Sequence, residues 1–157
     1  MISEYVKKLR EKVGNQKLIL PGVRAIILNE KGEILLQKRG DFKKWGLPAG
    51  SIELDESAFD ALKREVKEET VLDILEATPI GIYSHPKYSL TYPNGDEVQI
   101  FTLAFVVRKF RGELKIDEDE TLALKYCAIE DLPDDILPIH RETIQDYEAY
   151  DENFILK

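Results

Sequence analysis

Ser57-Ala-Phe-Asp-Ala-Leu-Lys-Arg-Glu-Val-Lys-Glu-Glu-Thr70 is the stretch that decides the reading of this chain. Turning each residue roughly 100° from the last gathers Ala58, Ala61, Leu62 and Val66 into one apolar stripe. Asp60, Lys63, Arg64 and Lys67 take the opposite, solvated side. The spacing predicts a surface helix over 57–70, capped by Asp55 or Ser57. Its glutamates break the pattern. Glu65 projects between Ala58 and Ala61, Glu69 between Ala58 and Leu62, and Glu68 falls at the edge of the same stripe. Like charges at i, i+3 and i+4 repel on a helix. Facing a low-dielectric body makes their ionisation costlier. Protons, basic partners or a cation must compensate, and an oxygen-only cluster suits a hard ion such as Mg²⁺ or Mn²⁺. The bland alternative is a solvated acidic face with Arg64 and Glu68 paired at i+4. The apolar residues, which fix the facing, argue against it.

Outward from this helix the chain mixes strands and helices. Ile2, Tyr5, Val6, Leu9 and Val13 lie at helical spacing, so residues 2–13 form an amphipathic helix ended by Gly14-Asn15. Val23–Asn29 and Glu33–Lys38 read as a β-hairpin around Glu30-Lys31-Gly32. A polar loop runs from Arg39 to Gly50. Strands are expected at 73–85, at 97–110 after the Tyr92–Asp96 turn, and at 121–129. Gln99–Val107 is apolar on both faces, as a central strand is. A last helix is expected over 138–150, with Pro138 near its start. Without strict βα alternation, the pattern favours an α+β sandwich over a doubly wound sheet.

The 157 residues are expected to make one domain, with the first and last helices added to its core. Twenty-two basic against 30 acidic side chains give a net charge of −8, a poor match to a long nucleic-acid backbone unless a metal supplies positive charge locally. No uncharged run approaches the ~18 residues that span a bilayer. The charged start lacks a signal peptide's apolar segment, and Cys127 has no second cysteine to pair with. A cytoplasmic protein with no membrane partner is expected.

Gly50, Glu56, Arg64, Glu65, Glu68 and Glu69, with aliphatic Val66 and Leu72, resemble the Nudix box, G-x5-E-x7-R-E-U-x-E-E-x-G-U, where U is aliphatic. Six of its seven fixed positions match. The departure is Val71, where the box has its second glycine. A β-branched residue is expected to avoid positive φ, so the helix exit is the part of the box expected to differ. The Trp45–Gly50 lead-in and the late acidic segment extend the likeness over about residues 20–135, and the whole looks like a small bacterial Nudix hydrolase of the MutT-like type.

The resemblance implies an α/β/α sandwich with a mixed central sheet and a catalytic loop-helix-loop. It implies a metal-dependent pyrophosphohydrolase, in which water attacks one phosphorus of a nucleoside diphosphate linked to another moiety. Glu65 and Glu69 would be the main metal ligands and the Gly50 carbonyl a further one. Glu68 would be a ligand or would help to deprotonate the water. Glu56 and Arg64 would pair and hold the loop-helix-loop in shape. Glu120, six residues before Tyr126, is a candidate base, with Glu118 behind it. Arg39 matches the family's phosphate-binding arginine, with Arg24 and Lys38 behind it. Trp45, Tyr83, Phe42 and Tyr88 are candidates to stack on a base. His85 and His140 lack zinc spacing, and either a leaving-group contact or a structural role suits them. The alternative is a non-catalytic nucleotide-sensing or partner-binding module on the same fold, as monomer or homodimer. The loops that choose the leaving group carry no further motif.

Overall fold

The computed structural model describes residues 3–116 and 119–157. Its elements in chain order are α1 (Glu4–Val13), β1 (Leu18–Ile27), β2 (Ile34–Arg39), β3 (Trp45–Gly46), β4 (Ala49–Ser51), α2 (Ala58–Thr70), β5 (Asp73–Tyr83), β6 (Ser89–Thr91), β7 (Glu97–Arg111), β8 (Thr121–Cys127), α3 (Pro138–Glu148) and β9 (Ile155–Leu156). The main sheet is mixed, in the order β4-β1-β7-β5-β9, with β6 paired to β7. A smaller antiparallel sheet runs β3-β2-β8.

The expected hairpin survives only at its turn. Asn29 Oδ1 accepts from the Lys31 and Glu33 amides, Gly32 takes a φ of 75°, and one bridge joins Leu28 to Ile34. Beyond the bridge the strands part into different sheets. Both edges of β1 are occupied, by β7 in parallel register from Leu18↔Val98 to Ile27↔Val107 and by β4 on the other side. β2, whose Ile34-Leu35-Leu36 run is buried on both faces and feeds both cores, pairs instead with β3 and β8.

The main sheet carries one core on each face. On one side Val23, Ala25 and Ile27 pack against Ala61, Leu62 and Val66 of α2. On the other, Ile26, Ile80, Ala104 and Val106 pack with Ile144 of α3, Leu36 and Leu47. Alternation along β1 therefore sends its odd residues to α2 and its even residues to α3. As expected, β7 is central. Pro138 opens α3, which ends at Glu148, two residues short of the expected bound. Ser3 caps α1 through the Val6 amide and Gly14 ends it; Ile2, which the periodicity included, lies outside the described residues. Among the described residues no helix is long and apolar enough to cross a membrane.

Candidate active site

Ser57 caps α2, its Oγ accepting from the Asp60 amide. The loop before it is fastened by Arg64. Arg64 Nε donates to Glu56 Oε1 at 2.7 Å, and Nη2 donates to Glu56 Oε2 and to the Ser51 carbonyl, both at 2.9 Å. The expected solvated face thus loses Arg64, which folds back under the loop. This two-point contact holds the Glu56 carboxyl below the usual carboxylate range and raises the guanidinium.

The far end of α2 overturns one expectation. Val71 does adopt the left-handed conformation, φ 67° and ψ 1°, of the box glycine it replaces. The exit is pinned on all sides: the Val71 amide donates to the Lys67 carbonyl, Lys67 Nζ to the Val71 carbonyl, and the Lys115 amide to the Thr70 carbonyl. Leu72 then drops into the core at 1% exposure. The β-branched side chain accepts a strain of ~1–3 kcal/mol because its neighbours leave no other route.

Between these ends α2 buries two carboxylates. Glu65 is 6% exposed and Glu69 4%, one helical turn apart. Glu65 Oε1 accepts from Arg64 Nη1 at 2.8 Å, and Glu69 Oε2 from the Ala49 amide at 3.2 Å. Burial raises both carboxyls, and Glu65 adds repulsion that takes Glu69 to about 8; Arg64 and Arg39 respectively pull them back. Gly50 makes the room: a Cβ there would collide with the Glu65 carboxyl. Glu68 does not join the pair. Its side chain is 43% exposed and drawn toward Arg64 Nη1 at 3.4 Å.

Among the described residues no three His, Cys, Asp or Glu side chains converge as a metal cage. Two buried carboxylates whose charge has too little compensation still form the part-set that Mg²⁺ commonly uses, with waters and substrate phosphates filling the remaining positions. The residues present therefore fit a hard divalent cation.

The pair opens into a cavity of about 570 Å³, also lined by Gly50, Arg39, Glu120, Arg24 and His140. That is a size for a small ligand. Arg39 is fixed by Asp41, Nε to Oδ1 at 3.0 Å and Nη2 to Oδ2 at 2.7 Å, with Phe42 under the guanidinium. The Glu120 carbonyl accepts from the Gly40 amide, tying its loop to the end of β2; Glu118 lies outside the described residues. Arg24 is 2% exposed. Phe42 and Tyr92 line the wall with rings 5.4 Å apart.

Trp45, Tyr83, Tyr88 and Lys38 are not among the lining residues. Trp45 stands between the Lys38 and Lys125 ammoniums, its backbone paired to the segment before α3. Lys38 also pairs with Asp135. Tyr83 is buried, its hydroxyl donating to Asp146, and Tyr88 meets it edge to face. Both are core aromatics with a polar end. Gln37 and Arg10 line the cavity without having been singled out. A glutamine inside an apolar strand run was a signal for the first. Nothing in the sequence marks Arg10 among α1's other cations.

A family model described as NUDIX domain matches residues 18–147. A Bacillus subtilis (strain 168) protein provisionally named 8-oxo-dGTP diphosphatase is 34% identical over 138 residues, 87% of this chain and 86% of its own. The ADP-ribose pyrophosphatase of Methanocaldococcus jannaschii is 31% identical over 150 residues, 91% of this chain and 84% of its own. Among solved structures, the MutT NUDIX hydrolase from Burkholderia pseudomallei superposes with a TM-score of 0.70 at 28% identity, covering 82% of this chain and 97% of that one. A match over so much of the chain, with the relatives spanned nearly end to end, makes this protein a member of the Nudix family and a hydrolase of phosphoric anhydride bonds.

Proposed function

We propose that the protein is a metal-dependent pyrophosphohydrolase that cleaves a nucleoside diphosphate linked to another moiety, with water attacking one phosphorus. The observation that carries this reading is the Glu65–Glu69 pair, buried against Gly50 on the wall of a nucleotide-sized cavity. Glu65, Glu69 and the Gly50 carbonyl would hold Mg²⁺ or Mn²⁺, with Glu68 swinging in from the exposed edge as a further ligand. When bound, the cation supplies charge screening and acidifies water.

The chain's own groups have separate tasks. Arg39, held flat by Asp41 and Phe42, presents its remaining N–H groups to a phosphate oxygen. Glu120 takes the proton of the attacking water. Arg64 and Glu56 brace the loop that sets Gly50 against Glu65, and so keep the carboxylates in place. The names of the relatives put 8-oxo-dGTP and ADP-ribose first among substrates to try.

The test is a hydrolysis screen of nucleoside triphosphates, ADP-ribose, sugar nucleotides and dinucleoside polyphosphates with Mg²⁺, with Mn²⁺ and with EDTA. Metal-dependent cleavage is expected, and Glu69→Gln should lower kcat about 10²–10³-fold. Full activity in EDTA, or in that variant, would overturn the ligand assignment.

A further inference from the structure

His140 sits in the first turn of α3 and is 6% exposed. Its Nδ1 accepts from the Leu47 amide at 2.8 Å, so the ring is neutral and carries its proton on Nε2. Burial, with the charges of Arg24 and Arg39, keeps it so. The ring also needs Gly46 to be a glycine: a Cβ there would meet Nδ1 at 2.6 Å. The helix that carries the ring is itself fastened one turn further on. Arg24 Nη1, from β1, donates to Thr143 Oγ1 at 2.7 Å, and Thr143 Oγ1 donates to the Ile139 carbonyl at 3.0 Å. The same guanidinium stands 5.8 Å from the Tyr83 ring centroid on β5. The imidazole is therefore a fixed point.

What it holds is the stretch that leads to the buried carboxylates. From Leu47 to Gly50 every residue makes a contact outside the stretch. The Leu47 amide donates to His140, and the Pro48 carbonyl accepts from the Ala25 amide at 2.9 Å. The Ala49 amide donates to Glu69 Oε2 at 3.2 Å, and Gly50 lies against the Glu65 carboxyl. Pro48 makes the stretch stiff. Its ring fixes its own φ and confines Leu47 to extended conformations. A shift at Leu47 is therefore passed on to Ala49 and Gly50 rather than absorbed. Leu47 is fully buried, so without the imidazole its amide would have to move to find another acceptor.

We propose that His140 is a positioning residue. Through the Leu47 amide it sets the Ala49 amide against Glu69 and Gly50 against Glu65, and so fixes the spacing of the two carboxylates. The geometry stands on its own; its consequence for a cation rests on the function proposed above. Hydrogen bonds that stand behind the ligands of a metal typically govern its affinity about 10- to 100-fold.

The two ring nitrogens can be replaced separately. His140→Asn puts an acceptor oxygen near the place of Nδ1. His140→Gln reaches the place of Nε2 and leaves a methylene at the other, and His140→Leu supplies neither. By calorimetry the Asn variant should bind Mn²⁺ nearly as the wild type does, and the Gln and Leu variants about 10- to 100-fold more weakly. Hydrogen exchange at the Leu47 and Ala49 amides, read without metal, should be as slow in the Asn variant as in the wild type and faster in the other two. The wild type alone supplies a further reading: nitrogen NMR of its ring should show the Nε2–H tautomer across neutral pH, and the Nδ1–H tautomer would overturn the proposal. So would an Asn variant no better than the Leu variant, or rescue by Gln alone, which would mean that the ring acts on the ligand through Nε2. Unchanged Mn²⁺ affinity in His140→Leu would reduce the residue to packing and overturn the proposal as well. A wild-type protein that binds no Mn²⁺, with the expected exchange pattern in the variants, would sink the metal-dependent reading and leave the positioning role standing.

Discussion

Glu69 ties its protonation to the stability of the protein. Its carboxyl titrates near 8 in the folded, metal-free chain against an ordinary value of 4.5. The folded state thus binds the extra proton, and the stability this contributes is complete below about pH 4.5 and lost as pH rises through about 8. Metal-free protein is expected to lose on the order of a few kcal/mol between those limits. Saturating Mg²⁺ should abolish the loss, because a cation favours the ionised form. Glu69→Gln should flatten the same curve without metal. Thermal melts across pH, with and without Mg²⁺, check all three; a metal-free curve with the same pH dependence as that of Glu69→Gln would contradict the buried-carboxylate account. Glu56 works the other way. Held low by Arg64, it contributes stability above its ordinary value that disappears on acidification.

At the scale of the element, α2 is a helix with a well-made start and a strained finish. The strain at Val71 predicts that Val71→Gly stabilises the protein. Relief of ~1–3 kcal/mol, less the greater freedom of glycine in the unfolded chain, leaves a gain of about 1 kcal/mol. For a chain of this size that is about 2–4 °C in Tm. The facing of α2 was legible in the sequence because Ala61, Leu62 and Val66 set its phase, and the phase buried Glu65 and Glu69. Glu68, read at the edge of the stripe, takes the i+4 contact with Arg64 that the sequence offered as the alternative. The β1–β2 hairpin misled. Turn chemistry is local, whereas the competitor for β1's edge is β7, far along the chain. Trp45 and Tyr83 were chosen by residue type alone, and an aromatic ring says nothing of which wall it joins. Arg24 and His140 show why a buried polar residue needs tertiary context: their partners come from α3, β3–β4 and β5.

For the whole molecule, α1 is a wall of the site as well as an appendage. Ser3, Val6 and Arg10 line the cavity. Arg10 does the fastening, its Nη1 donating to the Gly14 and Gln16 carbonyls and its Nη2 to the Glu97 carbonyl, with Asp96 3.6 Å from Nε. Arg10→Ala should free α1 and raise KM roughly 3- to 10-fold while moving kcat less, because the wall binds without touching the reacting phosphorus. Steady-state kinetics decide it; an unchanged KM would make α1 decorative. The acidic surface and the cationic interior are compatible at this scale. The net charge of −8 belongs to the chain as a whole, while Arg39 and Arg24 line the cavity.

The parallel pairing of β1 with β7 also has a consequence for how the protein comes into being. Each residue of β1 lies beside the one 80 positions on, Leu18 by Val98 and Ile27 by Val107. During synthesis β1 therefore emerges long before its main neighbour exists. Ile26 and Ile27, both fully buried at the end, must wait in solvent or in transient company. Closing so long a loop carries an entropic cost that is met only once β7 arrives, which places this chain among slow folders.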